Sequence, residues 1–266
     1  MRIGITGCAG RMGRMLVETV LATDGVTLAG GTESPNHAVL GADLGALAGR
    51  APTGLIVTDD VAGLCSAADV IIDFTAPAAS ARHAQLAAQS GVAFVCGTTG
   101  LDGGQKAALK TASGVIPVVF AANMSVGVNL LQGLTRRVAA LLGEDYDIEI
   151  VEMHHKHKAD APSGTALALG QAAADGRRIA LDTASVRVRD GHTGPRADGS
   201  IGFATLRGGD VVGEHTVIFA GPGERIELSH KAASRTIFAN GAVRAAKWIA
   251  GRPAGLYSMH DVLGLD

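Results

Sequence analysis

Short, nearly continuous apolar runs alternate with helix-like stretches in the first half of the chain. These runs predict strands at 3–6, 26–31, 55–58, 69–74, 92–96 and 115–120. The clearest helices are predicted over 11–23, 77–89 and 102–112, the last with Asp102 as its N-cap. Apolar strands that alternate with helices are typical of a parallel sheet covered on both faces. We therefore predict an α/β fold with a Rossmann-like, doubly wound parallel sheet.

The pattern changes near residue 123. An amphipathic helix is predicted over 125–142, a strand over 146–153 and a helix over 163–174. Further strands are predicted at 186–189, 201–206, 211–220 and 224–230, before a last helix over 234–250. Glycine-rich turns between the last three strands predict consecutive antiparallel hairpins. We expect a doubly wound parallel domain over 1–124 and a smaller α+β domain with a mixed sheet over 125–240.

Composition and charge exclude several classes of protein. Apolar residues make up 47% of the 266 residues, which is enough for a sizeable core, and the formal net charge is −2. This charge favours neither nucleic acid nor an anionic membrane as a partner. Cys8, Cys65 and Cys96 lack the spacing of metal ligands, and the first residues run directly into a strand without a signal peptide. We expect a cytoplasmic protein with free thiols and no metal.

A glycine-rich turn between the first strand and the first helix is the first candidate site. Gly7, Gly10 and Gly13 would let the backbone approach a pyrophosphate at the helix N-terminus. Glu33 ends the second predicted strand, where an acidic side chain accepts hydrogen bonds from an adenosine ribose. A purely structural turn and a solvated glutamate are the alternative interpretation.

The residues around Glu33 also predict the coenzyme. Its carboxylate repels a 2′-phosphate and Ser34 is not basic, which leaves Arg11 as the nearest candidate cation. We therefore expect NADH to bind at least as well as NADPH. Two further turns, 97–100 and 121–125, follow predicted strands and would suit the nicotinamide ribose and carboxamide. Ordinary strand-to-helix turns are the alternative.

The densest chemistry lies in residues 154–158, where three histidines and two lysines follow a predicted strand. A zinc site, a solvated basic patch and an active-site loop are the three interpretations. His154, His155 and His157 cannot all face one ion from an extended strand, which disfavours zinc. Imidazole and ammonium groups can instead hold an anion and supply protons.

A predicted helix begins just after this basic segment. Ser163 is its expected N-cap, and the N–H groups of Gly164 and Thr165 would donate hydrogen bonds to a carboxylate. Basic side chains beside a helix N-terminus predict a site for an acidic substrate. Lys231 and Arg235 could add a second carboxylate contact, and ordinary cations at a helix end are the commoner alternative. The scattered histidines are expected at surface or satisfied polar positions: His37, His83, His192, His215, His230 and His260.

Together these motifs resemble the 4-hydroxy-tetrahydrodipicolinate (dihydrodipicolinate) reductase family of lysine and diaminopimelate biosynthesis. The most specific segment is 152–166. The others are 7–13, 72–75, 97–100, 122–127, 201–203, 213–215 and 238–242. Met124 departs from the phenylalanine of many members, and Ser34 departs from the basic residue of some.

The resemblance implies the site residues and the reaction. Cofactor contacts are implied for Gly7, Cys8, Ala9, Gly10, Arg11, Met12, Glu33, Gly97, Thr98, Thr99, Ala121, Ala122, Asn123 and Met124. The expected substrate pocket comprises His155, Lys158, Ser163, Gly164 and Thr165. His154 is the expected catalytic proton donor or acceptor and Lys158 a second proton donor, and either of them could deliver the proton. The implied reaction is NAD(P)H-dependent reduction of a cyclic dicarboxylate, bound between the domains, with net loss of water.

The resemblance further implies a homotetramer that associates through strands 201–230, and a C-terminal segment, 241–266, that packs on the first domain. Two other functions compete with this interpretation. One is a different nicotinamide enzyme, such as an amino-acid or semialdehyde dehydrogenase. The other is a non-catalytic sensor of NAD(H). All three cysteines lie in the first half, which disfavours a nucleophilic cysteine in the substrate domain, and a sensor has no need of a proton donor.

Overall fold

The computed structural model describes residues 1–265, and the chain divides into two compact units. Unit 1 comprises Met1–Val126 and Thr236–Gly264, and unit 2 comprises Gly127–Arg235 with Leu265. The strands are β1 (Arg2–Thr6), β2 (Thr27–Thr32), β3 (Val57–Thr58), β4 (Val70–Asp73), β5 (Ala93–Cys96), β6 (Pro117–Phe120), β7 (Asp147–His154), β8 (Ser185–Val186), β9 (Ile201–Arg207), β10 (Gly213–Gly221), β11 (Glu224–Ala232) and β12 (Gly255–Tyr257).

The helices were predicted less completely than the strands. They are α1 (Arg11–Leu21), α2 (Leu44–Leu47), α3 (Val61–Ala67), α4 (Pro77–Ser90), α5 (Gly103–Ala112), α6 (Val126–Leu142), α7 (Gly164–Arg177), α8 (Leu181–Ala184), α9 (Thr236–Ile249) and α10 (Met259–Leu263). Asp102 caps α5 as predicted, in a reciprocal capping box with Gln105. The short helices α2, α3, α8 and α10 escaped prediction, because four to seven residues carry too little periodicity. No helix in residues 1–265 has both the length and the hydropathy needed to cross a bilayer.

Unit 1 contains a seven-stranded parallel sheet in the order β12-β6-β5-β4-β1-β2-β3. Alternate residues of its strands enter two separate clusters: Val70 and Ile72 face one, and Ile71 faces the other. Helices α1 and α9 cover the first face, and α3, α4 and α5 cover the second. Burial on both faces explains the continuous apolar runs in the sequence, and it confirms the predicted Rossmann-like class.

The order of the strands reverses at β1, which pairs with β2 on one side and with β4 on the other. Open parallel sheets bind ligands at such a point, outside the carboxyl ends of the strands. The first candidate site therefore lies where the fold leaves a natural crevice.

Unit 2 contains a five-stranded mixed sheet in the order β11-β10-β7-β9-β8. Ile148, Ile150, Val217 and Phe219 are fully buried on one face, in a cluster that also takes apolar residues from α6 and α7. The other face, which carries Ile218 and the exposed Leu206, is only partly covered within this unit.

Two sequence-based predictions about this sheet are wrong. The strand predicted over 186–189 is limited to Ser185–Val186. The strands β9 and β10 do not form a hairpin, because β7 lies between them, parallel to β9 and antiparallel to β10. A glycine-rich turn permits either a hairpin or a crossing, and here β7 pairs along both of its edges and so separates β9 from β10. The β10–β11 hairpin is confirmed.

The crossing segment, residues 208–212, holds the end of β7 in place. The N–H of Gly208 donates to the His154 carbonyl (3.0 Å), and the N–H of His155 donates to the Val211 carbonyl (2.7 Å). Lys156 N–H donates to Gly209 O at 3.2 Å. These bonds fix the backbone of the basic segment that follows β7.

Candidate active site

The glycine-rich turn of unit 1 joins β1 to α1. Gly7 has a φ of +68°, and its N–H donates to the Thr32 carbonyl (2.8 Å), which ties the turn to β2. A Cβ at Gly13 would overlap the Gly7 carbonyl oxygen, so only glycine lets α1 approach the turn this closely. Gly10 is the N-cap of α1, and no side chain caps the helix. The first N–H groups of α1 therefore form a ready site for a phosphate.

Glu33 directly follows β2 and reaches back to this turn. Its Oε1 accepts from Ala9 N–H (2.9 Å), and its Oε2 accepts from Ser34 N–H (3.1 Å). Glu33, Gly7 and Gly10 line one cavity of about 600 Å³ at the carboxyl ends of β1, β2 and β4. The cavity joins a phosphate-binding helix end to a carboxylate that can accept ribose hydroxyls, so the residues present fit a dinucleotide.

The other predicted cofactor residues lie along the same edge of the sheet but outside this cavity. Residues 97–99 follow β5, and residues 121–124 follow β6. Met124 is buried, and Gly241 of α9 packs against its carbonyl so closely that a Cβ there would overlap it. Arg11 is exposed at the start of α1, with Met12 half-buried beside it. Their side chains flank the turn that carries the helix N–H groups.

The three cysteines are free and buried. Burial raises the pKa of Cys8 and of Cys96 to about 12, and that of Cys65 to about 11. Such thiols carry almost no thiolate at neutral pH, so they are poor nucleophiles. The Cys8 side chain points into the core, which leaves only its backbone to a ligand.

In unit 2, a buried carboxylate organises the end of β7. Glu152 is 1% exposed and accepts hydrogen bonds from His154 Nδ1 (2.5 Å) and from the backbone N–H of Ser163 (3.1 Å). It also accepts from the two terminal nitrogens of Arg207, Nη1 (2.8 Å) and Nη2 (2.9 Å). Burial alone would raise the pKa of Glu152, but the bonds from Arg207 and His154 outweigh it and hold the pKa below its ordinary value. An ionised Glu152 thus joins His154, Arg207 and the start of α7.

His154 is held as a neutral imidazole near pH 7. Burial lowers its pKa, and the opposing effect of Glu152 only partly compensates. The carboxylate can only accept, so Nδ1 carries the hydrogen and Nε2 keeps its lone pair. The Nε2 side of the ring lies over Gly213, where an added Cβ would sit 3.0 Å from it.

Lys158 and His155 belong to one tight turn, because Lys158 N–H donates to the His155 carbonyl (3.1 Å). The Lys158 Nζ lies 2.7 Å from Asp160 Oδ1, and this hydrogen bond holds the pKa of Asp160 below its usual range. The buried Nδ1 of His155 has no hydrogen-bond partner within residues 1–265. His155, His157 and Arg235 line an open cavity of about 610 Å³.

Ser163 caps α7 as the sequence predicts: its Oγ accepts from Ala166 N–H (3.1 Å). The same hydroxyl is hydrogen-bonded to His215 Nε2 (3.0 Å), and Ser163 is 2% exposed. The Ser163 hydroxyl is thus hydrogen-bonded within the protein, and the expected contact of Ser163 with substrate stays a prediction. Its role is to shape the helix end, where Gly164 is exposed.

Several residues of these sites were missed from the sequence. Arg207 lies beside His154 because β9 pairs in parallel with β7. The register places each residue of β7 opposite the residue 53 positions later in the chain. His215 was expected to be an ordinary polar position, but it packs edge-on against His154, with ring centroids 5.1 Å apart. Among residues 1–265, no three His, Cys, Asp or Glu side chains are placed to hold a metal ion.

Buried His215 gives the stability of the chain a dependence on pH. Burial lowers its pKa to about 4 in the folded chain, from 6.5. The unfolded chain therefore binds more protons between these values, and stability falls as the pH drops through this window, by about 2 kcal/mol at about pH 5. Between about pH 7.5 and pH 5, the free energy of unfolding should fall by about 2 kcal/mol less in His215→Gln than in wild type. Urea unfolding at the two pH values measures this difference. Equal losses in both proteins would show that His215 is not the group responsible.

The parallel sheet, its glycine turn and the acidic residue after β2 define a dinucleotide-dependent oxidoreductase. Profiles of the dihydrodipicolinate reductase N-terminus and C-terminus match residues 1–124 and 127–263. The chain belongs to the dihydrodipicolinate reductase family, which confirms the resemblance seen in its motifs. It is an oxidoreductase of lysine and diaminopimelate biosynthesis, and its redox cofactor is a nicotinamide dinucleotide.

Relatives and a solved structure agree with this assignment. The chain is 56% identical over 265 residues to a 4-hydroxy-tetrahydrodipicolinate reductase of Cupriavidus metallidurans, with both proteins covered completely. It is also 56% identical to one of Afipia carboxidovorans, covering all of this chain and 97% of that protein. A dipicolinate-bound dihydrodipicolinate reductase from Paenisporosarcina sp. has the same fold, with a TM-score of 0.76, 25% identity and 97% coverage of each chain.

Proposed function

We propose that this chain reduces (2S,4S)-4-hydroxy-2,3,4,5-tetrahydrodipicolinate to tetrahydrodipicolinate, with NAD(P)H as reductant and water as second product. The substrate loses its 4-hydroxyl and one hydrogen of the neighbouring ring carbon as water, and the ring gains a hydride and a proton. The observation that carries the proposal is the hydrogen-bonded array around Glu152. This array connects His154 to the start of α7, which follows Lys158 in the chain. The two full-length relatives named above carry the same activity in their names.

The carboxylates of the substrate bind to the basic turn and to the start of α7. His155 offers a buried Nδ1 without a partner, and Lys158 offers an ammonium group. The N–H groups of Gly164 and Thr165 lie in the first turn of α7, where the helix dipole favours an anion. Dipicolinate, a planar dicarboxylate, occupies the solved relative from Paenisporosarcina.

Lys158 is the immediate proton donor in this proposal. A reduced nicotinamide, when bound, supplies the hydride. His154 holds its hydrogen on Nδ1, against Glu152, so its free Nε2 can accept a proton but cannot donate one. The Lys158 ammonium carries protons that it can release to the substrate carbon, and it also stabilises the negative charge that develops there.

NADH should serve at least as well as NADPH. The Glu33 carboxylate lies in the cavity at the glycine turn and repels a 2′-phosphate, and Ser34 beside it offers no charge to offset this. Steady-state kcat/KM with each coenzyme, on substrate generated in the assay, tests both the activity and the preference. If the chain oxidises neither coenzyme when substrate is added, the proposed function is refuted. A preference for NADPH of about tenfold or more would refute the role of Glu33.

Gly10 offers a clean separation of folding from cofactor binding. A Cβ at Gly10 would meet only the Gly7 carbonyl oxygen, at 3.3 Å, a tight contact that a shift of a few tenths of an ångström relieves, and the rest of the side chain would fill the cavity. Gly10→Leu should keep the thermal midpoint of wild type within a few degrees but lose NADH binding by about a hundredfold or more. Normal NADH titration of the folded variant would contradict the phosphate-site assignment.

The open face of the five-stranded sheet suits association into a homotetramer. Val151, Met153, Leu206 and Ile218 lie on this face and are not buried within unit 2. Light scattering of the purified chain measures the oligomeric state directly, and a monomer would refute the tetramer.

We also propose that residues 1–124, with the C-terminal segment, bind the dinucleotide and that residues 125–240 bind the substrate. A location in the cytoplasm agrees with the unpaired cysteines.

A further inference from the structure

A buried carboxylate that the proposed reaction does not use lies at the end of β4. Asp73 is fully buried and accepts hydrogen bonds from Thr6 Oγ1 (2.7 Å), Thr98 Oγ1 (2.9 Å) and His83 Nδ1 (2.6 Å). The hydroxyls of Thr75 and Ser80 also donate to it. Burial would raise the pKa of Asp73, but His83 and the hydroxyls outweigh it and keep the group ionised. Its charge is therefore fully compensated inside the protein.

The partners of Asp73 come from four segments of unit 1. Thr6 is the last residue of β1, directly before the glycine turn, and Thr75 follows β4. Thr98 follows β5, and its Oγ1 also accepts from Thr75 N–H at 2.9 Å. Ser80 and His83 lie one turn apart on α4. One carboxylate thus ties three loops at the carboxyl edge of the sheet to a single helix.

His83 is the partner that connects this network to the cofactor cavity. Its Nδ1 is directed at Asp73, while its ring lines the cavity that Gly10 and Glu33 also line. Its side chain is 14% exposed. Ser80 and His83 are spaced three residues apart, so α4 presents both to the same carboxylate. The bond between His83 and Asp73 therefore fixes the wall of the cavity relative to the glycine turn.

We propose that Asp73 and His83 form a positioning pair for dinucleotide binding. The hydrogen bond from Nδ1 holds the glycine turn, the turn at residues 74–75 and Thr98 in the arrangement that receives the cofactor. This inference rests on the proposed dinucleotide site. Because His83 acts through Asp73, the pair requires only a donor at the Nδ1 position. Asparagine places an amide N–H there, glutamine places one at the Nε2 position, and leucine offers none.

The dissociation constant of NADH, from fluorescence titration of the full chain, tests the pair. His83→Leu should raise it by about tenfold or more, whereas His83→Asn should stay within about threefold of wild type. His83→Leu should also lower the thermal midpoint, because it removes a donor from a buried carboxylate, whereas His83→Asn should stay near wild type; the titrations are therefore run well below both midpoints. Gln85→Leu, at an exposed position of the same helix, is the matched control and should bind NADH normally.

The outcomes separate this inference from the proposed function. A wild-type chain that does not bind NADH refutes the dinucleotide site itself. If wild type binds, an unchanged dissociation constant in His83→Leu overturns the pair, as does a loss in His83→Asn equal to that in His83→Leu. In an Asp73→Asn background, adding His83→Leu should change the constant by less than about twofold, since both changes disrupt the same bond between His83 and the carboxylate. Independent, multiplying losses would overturn the proposal.

Discussion

Lys158→Ala is expected to lower kcat by about 10²–10⁴-fold while the dissociation constant of NADH stays within about twofold of wild type. The ammonium group both donates the proton and contacts the anionic substrate, so KM should rise as well. It lies in unit 2, whereas the glycine turn and Glu33 lie in unit 1. Stopped-flow turnover and an NADH titration measure the two quantities separately.

Lys110→Ala, at an exposed position on α5, is the control for loss of a lysine and should retain normal turnover. His154→Ala should also lower kcat far more than it weakens NADH binding, because the imidazole belongs to the array around Glu152 in unit 2 and the glycine turn lies in unit 1. Wild-type turnover in Lys158→Ala would remove the lysine from the reaction. Wild-type turnover in His154→Ala would remove the imidazole.

Glu152→Gln is expected to lower kcat by about a hundredfold and to destabilise the chain by about 3–5 kcal/mol. The amide replaces one acceptor oxygen by a donor, so it cannot satisfy Arg207 and His154 together. It also removes the negative charge that raises the pKa of His154, so the pKa of His154 should fall further. Kinetics, the pH profile of kcat and urea unfolding check the three effects.

Glu144→Gln, at an exposed position, is the matched control and should leave all three quantities unchanged. A Glu152→Gln variant that is less stable but turns over with the kcat and pH profile of wild type would assign the residue a structural role only. Loss of turnover without a change in stability would mean that Arg207 does not depend on this carboxylate.

The parts that sequence predicted well depend on local patterns. The central strands β1, β4 and β5 of unit 1 are buried on both faces, so their apolar runs are continuous and easy to find, whereas the short, half-exposed β12 was not predicted. Gly7, Gly10 and Glu33 could be placed together because a strand, a turn and a helix follow each other directly in the chain. Ser163 could be identified as an N-cap from the residues around it.

The parts that sequence missed depend on contacts between distant segments. Arg207 reaches Glu152 only because β7 inserts beside β9, and no local pattern distinguishes that arrangement from a hairpin. His215 meets Ser163 across 52 residues, and His83 meets Asp73 only through the packing of α4. An acidic residue that ends a fully apolar strand, as Asp73 does, is the one signal that could have pointed to a buried charged network.

A crystal structure of the chain with NADH and pyridine-2,6-dicarboxylate tests the central claim most directly. We expect one carboxylate of the planar diacid on the N–H groups of Gly164 and Thr165, and the other within hydrogen-bond distance of His155 and Lys158. His154 should face the ring of the diacid, with its Nδ1 still bonded to Glu152. Electron density for the diacid at any other place, or His154 and Lys158 directed away from it, would contradict the assignment of the catalytic site.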